Sequence, residues 1–198
     1  AMPRSGFLPN YNVLVPMATS LTDTRIWRYR ISGVNPDQYK AVILDSIFLN
    51  QSATAQVSPE SISQAQIALQ DSMVNAVNAR GNIKIVTVPG PGVARVSVGI
   101  TGAESSADSL QPWNFTPIGL AMNAAAYAGG LNSKTPALLI ESKITDSLSK
   151  ELLGEGLVIV QGESFRTGSG SVDSFVAMAK KAVLAALETA ADPTPMKK

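Results

Sequence analysis

The run Pro89-Gly-Pro-Gly-Val-Ala-Arg-Val-Ser-Val-Gly-Ile-Thr101 decides the fold class. Its first four residues break any regular element, because proline withholds an N–H and glycine takes turn conformations freely. They read as a sharp bend between strands rather than as backbone offered to a ligand. From Val93 the chain alternates, with Ala94, Val96, Val98 and Ile100 on one face and Arg95, Ser97 and Thr101 on the other. Alternation of period two predicts a half-buried antiparallel strand.

Working back from the bend, residues 83–88 (Ile-Lys-Ile-Val-Thr-Val) read as a strand. Ser58-Pro-Glu60 signals a helix start: a capping hydroxyl, proline at the first helical position, an acid at the positive end. Ile62, Ala65, Leu69, Met73 and Ala76 follow at helical spacing, and Arg80-Gly81 closes the helix. Residues 39–49 are apolar and β-rich and predict another strand. The first 36 residues, broken by Pro3, Pro9 and Pro16, read as an extended arm lying on the domain.

Working forward, residues 137–145 predict a strand, with Leu138, Ile140 and Ile144 on one face and Glu141, Lys143 and Thr145 on the other. Residues 157–161 are its expected partner across a turn at 148–156. Residues 171–188 predict a helix carrying one stripe of Val172, Phe175, Val176, Ala179, Val183 and Leu187. The tail from 192 to 198 is expected to be disordered. The sum is an α+β domain over residues 37–191, with an insertion at about 102–135. Two main helices pack on one face of a largely antiparallel sheet of about five strands.

Composition excludes several chemistries. The chain of 198 residues has no cysteine and no histidine, which removes thiol nucleophiles, disulfides and the commonest zinc ligands. It also removes the side chain best suited to proton transfer near neutral pH. Charged residues are 16% of the chain and the net charge is +1, with no basic run beyond Lys180-Lys181 and Lys197-Lys198, so nucleic-acid binding is not expected. The uncharged stretch 109–133 is too rich in Pro, Gly and Asn to cross a membrane.

Candidate sites are few. The loop 162–171 joins a strand to a helix, a place suited to phosphate. It lacks the lysine of a P-loop, and Asp173 stands where a dinucleotide loop needs a small residue, so a flexible connection with a capped helix is the better reading. Glu141 and Asp146 are an odd number of residues apart and point to opposite faces of a strand. Glu141 is expected in solvent, with Arg95 across from it. Ser149-Lys150 lacks a supporting Ser-x-x-Lys motif. No catalytic, cofactor or metal residues are therefore assigned. The best interaction candidate is the insertion, where Trp113, Phe115, Met122 and Tyr127 sit without charge to solvate them.

Ser5-Gly-Phe-Leu8 with Tyr11, residues 39–49, Pro89-Gly-Pro-Gly-Val-Ala-Arg-Val-Ser-Val98 and Ile140-Glu-Ser-Lys-Ile-Thr-Asp-Ser147 together resemble a family of bacterial lipoproteins, domain of unknown function 3313. The resemblance implies a secreted precursor carrying a lipid on a cysteine shortly before Ser5. Ala1-Met2 then reads as a cloning remnant. The element order also looks similar to small α+β domains of other envelope lipoproteins, including the curli secretion pore subunit and penicillin-binding-protein activators, a likeness of fold that says little about function. The expectation is a non-catalytic periplasmic domain, tethered to the outer or inner membrane by an N-terminal lipid. It acts by binding a protein partner or by self-association. The alternative is a small-ligand domain for a lipid or glycan.

Overall fold

Ser58 Oγ accepts the Ser61 N–H, Pro59 takes the first helical position, and Gly81 closes the helix at φ +73°, so α1 spans Pro59–Arg80 as its signals dictate. The structure, a computed structural model, describes residues 2–105, 135–165 and 168–197. Within them α1 buries Ile62, Ala65, Ala68 and Leu69. The second helix, α2, spans Gly168–Ala191 and packs on α1. A buried hydrogen bond of 2.7 Å joins Ser61 Oγ and Ser171 Oγ where the two helices start.

The expected stripe on α2 is displaced. Phe175 and Ala179 reach the core, but the buried line continues through Met178, Ala182, Ala185 and Thr189, while Leu187 stays 43% exposed. Large side chains mark a hydrophobic face in sequence. Helices that must approach each other to within about 8–10 Å instead turn small residues inward.

Among the described residues the sheet is mixed and has eight strands, a correction to the expected largely antiparallel sheet of about five. In chain order they are β1 (Val15–Met17), β2 (Thr24–Arg30), β3 (Ala41–Leu44), β4 (Phe48–Leu49), β5 (Lys84–Ile85), β6 (Val93–Glu104), β7 (Ala137–Asp146) and β8 (Leu152–Gln161). Their order across the sheet is β1-β2-β8-β7-β6-β3-β5, with β4 also on β6. The pairs from β1 to β6 are antiparallel, whereas β3 and β4 run parallel to β6, and β5 runs parallel to β3. The parallel pairs follow from the crossover through α1, since a helix between two strands returns the chain in the same direction.

Two strands come from the segment read as an arm. Strand β2 (Thr-Arg-Ile-Trp-Arg-Tyr-Arg) buries the adjacent Ile26 and Trp27 on opposite faces, so it shows no one-sided alternation. The expected strand 39–49 is cut in two at Asp45, whose carboxylate accepts from Arg95 at 2.5 Å and from the Ser97 hydroxyl at 2.7 Å. The expected strand 83–88 shrinks to β5, leaving Val88 69% exposed. The tail pairs with the edge strand: Ala18 N–H donates to Thr194 O and Met196 N–H to Pro16 O.

Both faces of the sheet are covered. Ile26, Val98, Ile100, Leu138, Ile140, Val158 and Val160 meet α1 and α2. Trp27, Leu139, Leu157 and Ile159 on the other face lie under Leu8, Leu14 and Ala53. The bend at 89–92 is as expected. Gly92 has φ +70°, a Cβ there would come within 3.0 Å of Gln38 O, and the Ser147 hydroxyl bonds both N and O of Gly90 at 3.1 Å.

Phe175→Ala should lower unfolding stability by about 3–5 kcal/mol, because it opens a cavity at the helix–sheet interface. Leu187→Ala, in the stripe as read from sequence, should cost no more than about 1 kcal/mol. Urea denaturation of both variants checks the displaced stripe, and equal losses would contradict it.

Candidate functional site

Trp113, Phe115, Met122 and Tyr127 all lie outside the described residues. The segment holding them joins β6 to β7, at the end of the sheet marked by Glu104 and Ala137. The described residues place a different feature on the helix-covered face of the same strands.

This feature is a groove of about 380 Å³ between the sheet and the two helices. Its floor comes from β2, β6, β7 and β8, and its walls include Met73 and Val77 of α1 and Val183 and Leu187 of α2. Small residues make the space. Strand β8 carries Gly154 and Gly156, β7 carries Ser142, and the walls carry Ala76, Ala182, Ala186 and Ala190. A Cβ on Gly156 would stand 2.9 Å from Ser142 Oγ, so a side chain there would force Ser142 to shift. Val183 and Leu187, read from sequence as core, line this groove instead, which is why an apolar stripe continues where burial does not.

The lining is largely apolar, with a few polar side chains from β2 and around it. Arg28 reaches over from β2 and its Nη1 donates to Ala186 O at 2.6 Å and to Thr189 Oγ1 at 3.0 Å. Burial holds the Arg28 guanidinium below its usual pKa, and the neighbouring charge of Arg30 adds to this. Arg30 is exposed and also lines the groove. Tyr39 closes another part of the rim and donates to Asp146 at 2.8 Å.

Glu141 overturns its sequence reading. It is fully buried, its partner across β6 is Gly99, and Arg95 faces Thr145 instead. The carboxylate accepts from the Ser5 hydroxyl at 2.5 Å and from the hydroxyls of Tyr11 and Thr101. Tyr11 Oη in turn accepts the Gly6 N–H at 3.0 Å and the Leu8 N–H at 3.3 Å. Burial pushes the Glu141 carboxyl above the usual carboxylate range, and the three hydroxyl donors only partly oppose it. Glu155, also buried and raised by burial, accepts the Asn10 N–H at 3.1 Å, and its Oε2 has no hydrogen-bond partner. These acids hold the segment before β1 against the sheet, on the face away from the groove.

The other candidates resolve into structure. Asp146, the half-buried last residue of β7, accepts the N–H groups of Ser149 and Leu148 in the following turn at 2.9 Å, which, with the Tyr39 hydroxyl, hold its carboxyl below the usual range. It does not converge with Glu141. Ser149 and Lys150 are exposed in that turn. In the loop 162–171, Ser171 is spent on Ser61, and residues 166 and 167 lie outside the described ones. Among the described residues, no three acids cluster closely enough to hold a metal ion.

Residues 3–190 match the family described as Protein of unknown function (DUF3313). The chain belongs to that family. The match spans the covering segment, the sheet and both helices. No curated protein matches it. Among solved structures it is similar to a PelC dodecamer from Paraburkholderia phytofirmans, at 10% identity over 86% of this chain and 98% of that one, TM-score 0.39. It is also similar to a DUF4136 family protein from Bacteroides thetaiotaomicron, at 12% identity over 87% and 98% of the two chains, TM-score 0.45. A DUF330 protein from Xanthomonas campestris shares 13% identity over 78% and 87%, TM-score 0.45.

Since burial raises the folded-state pKa of Glu141, the folded chain binds more protons than the unfolded one above the ordinary value of 4.5. Stability then falls as pH rises from there through the raised folded value. Gln at this position cannot titrate, and Glu155 titrates in both proteins and cancels to first order. The stability of Glu141→Gln relative to wild type is therefore expected to increase from about pH 4 to pH 7. Urea midpoints across that range test it, and a flat or decreasing difference would refute the assignment.

Proposed function

We propose that this domain is a non-catalytic binding protein of the cell envelope, and that it holds an apolar chain, such as the acyl chain of a lipid, in the groove between its helices and its sheet. The groove itself carries the reading: 380 Å³ of space, lined by apolar side chains and floored by Gly154, Gly156 and Ser142. Small-molecule sites occupy about 300–1,000 Å³ and have this apolar character with few polar groups.

Magnitudes favour a long chain. Each buried methylene contributes about 0.8 kcal/mol. Four methylenes recover about 3 kcal/mol, less than the lowest association cost of about 4 kcal/mol, while twelve recover about 10 kcal/mol. The non-catalytic reading is supported by what the acids do. Glu141 is enclosed beneath the segment before β1, and Asp146 is spent on a turn. The other expectation, a protein-docking surface at Trp113, Phe115, Met122 and Tyr127, has its residues outside the described structure, so the groove carries the proposal.

Ala76→Phe and Ala186→Phe place a ring from either helix into the open space. Both variants should keep thermal stability, since they fill a void rather than overpack a core. Both should weaken binding of dodecanol, measured by calorimetry, by about tenfold, which corresponds to about 1.4 kcal/mol. Unchanged affinity in both variants, or no dodecanol binding by the wild type, would overturn the proposal.

The envelope placement rests on the resemblance to lipoproteins. It is checked by the mass of the N-terminal peptide from native cells. A diacyl or triacyl modification on a cysteine upstream of Ser5 is expected, and an unprocessed, unmodified start would exclude the tether.

A further inference from the structure

Resting on the groove reading, we infer that the bound amphiphile carries an anionic head group, a phosphate or a carboxylate, held at the groove mouth by Arg28 and Arg30. The two arginines are two residues apart on β2 and therefore share its groove-facing side. On β8 their register partners are Gly156 and Gly154. Neither partner supplies a side chain to shield or neutralise the cation beside it. Cross-strand neighbours of arginine are often acids, and here the opposing positions are empty of charge.

The acids around them are committed elsewhere: Glu188, next to Thr189 on α2, accepts the Ser20 N–H at 2.8 Å. Among the described residues Asp45 is paired with Arg95, and no carboxylate forms an ion pair with Arg28 or Arg30. Glu155 contributes to the groove lining, but its carboxylate turns to the other face, where it accepts the Asn10 N–H. Tyr39 is occupied by Asp146. Two like charges thus stand side by side at the edge of an apolar groove with no counter-charge.

Arg28 has donor capacity to spare. Its Nη1 is anchored on Ala186 O and Thr189 Oγ1, and this anchor fixes the planar guanidinium. A guanidinium carries five N–H donors, so the remaining ones suit the oxygens of a phosphate or carboxylate. Arg30, exposed, supplies a second charge that can close over the same group. The apolar chain then runs inward over Gly154 and Gly156, away from water, and the head stays at the rim. This arrangement discriminates between amphiphiles by their heads, because every chain of equal length gains the same burial energy.

The test compares dodecyl phosphate, dodecanol and inorganic phosphate by calorimetry on the full chain, with the amphiphiles below micelle-forming concentration. Dodecyl phosphate should bind about tenfold more tightly than dodecanol, and inorganic phosphate alone should bind at least about a hundredfold more weakly than dodecyl phosphate. Arg30→Gln, at an exposed position, should cut the dodecyl phosphate affinity about fivefold and leave dodecanol within about twofold. The double variant Arg28→Gln/Arg30→Gln, checked for folding by circular dichroism, should bring the two amphiphiles to equal affinity. Equal binding of dodecyl phosphate and dodecanol by the wild type would overturn the head-group assignment and leave the groove reading standing. Binding of neither would sink both. Inorganic phosphate binding as tightly as dodecyl phosphate, or a preference for phosphate that survives in the double variant, would also overturn the assignment.

Discussion

The carboxylate of Glu141, set in a central strand among three hydroxyls, ties together the two halves of this structure. An acid at that position is costly to bury, by several kcal/mol after relaxation. Each hydrogen bond from a hydroxyl to a charged acceptor returns about 1.5–3 kcal/mol. The terms are of similar size, so the cluster adds little net stability. Its consequence is positional: Ser5 and Tyr11 must be brought to β7, and the chain between and after them is laid over Trp27, Leu139, Leu157 and Ile159. Without that cover, Trp27, Leu139, Leu157 and Ile159 would lose the packing of Leu8 and Leu14. Phe7 adds to the seal by stacking on Phe48 with ring centroids 5.7 Å apart.

With one face closed by the covering segment, the two helices are free to cover the other face incompletely. Where Phe175, Met178 and Leu69 meet the sheet, packing is dense and those side chains are fully enclosed. Farther along, the sheet presents glycine and serine and the helices present alanine, so the layers stay apart. Small residues therefore act in opposite ways on the same helix. At Ala179 and Ala185 they permit close approach, and at Ala186 and Ala190 they leave space. The arginine that crosses to Ala186 O steadies the end of α2 and at the same time brings a positive charge to the rim of that space. The proposed ligand chemistry follows from this pairing of an open apolar groove with unneutralised cations.

Much of the local structure was legible in the residues themselves. Ser58, Pro59 and Gly81 set the limits of α1 through interactions within a few positions of the chain. Pro89-Gly-Pro-Gly92 set the bend, and alternation set β6 and β7. Each of these is a short-range effect, as was the inference that Glu141 and Asp146 do not converge. Family membership was legible too, because it rests on the same local signatures around the bend and along β7.

Other features depended on what lies across from a residue, which local pattern does not encode. Strand β2 carries no strand signal in sequence because burial on both faces erases alternation. Glu141 reads as solvent-facing because polarity on a strand usually means exposure, and the hydroxyls of Ser5, Tyr11 and Thr101, 136, 130 and 40 positions away, make it a buried acceptor. The α2 stripe is displaced because large residues mark the inward face in sequence, whereas a close neighbouring helix selects alanine. The groove had no signal in any single segment, since it is a space left between Gly154 and Gly156 on one strand, Ser142 on another and alanines on two helices. Sequence alone thus determined α1 with its ends, the bend at residues 89–92 and the strands β6 and β7, through interactions between near neighbours in the chain. Tertiary structure alone decided which faces are covered, which acid is buried and where a ligand can lie, because each of these is set by side chains that folding brings together from distant positions.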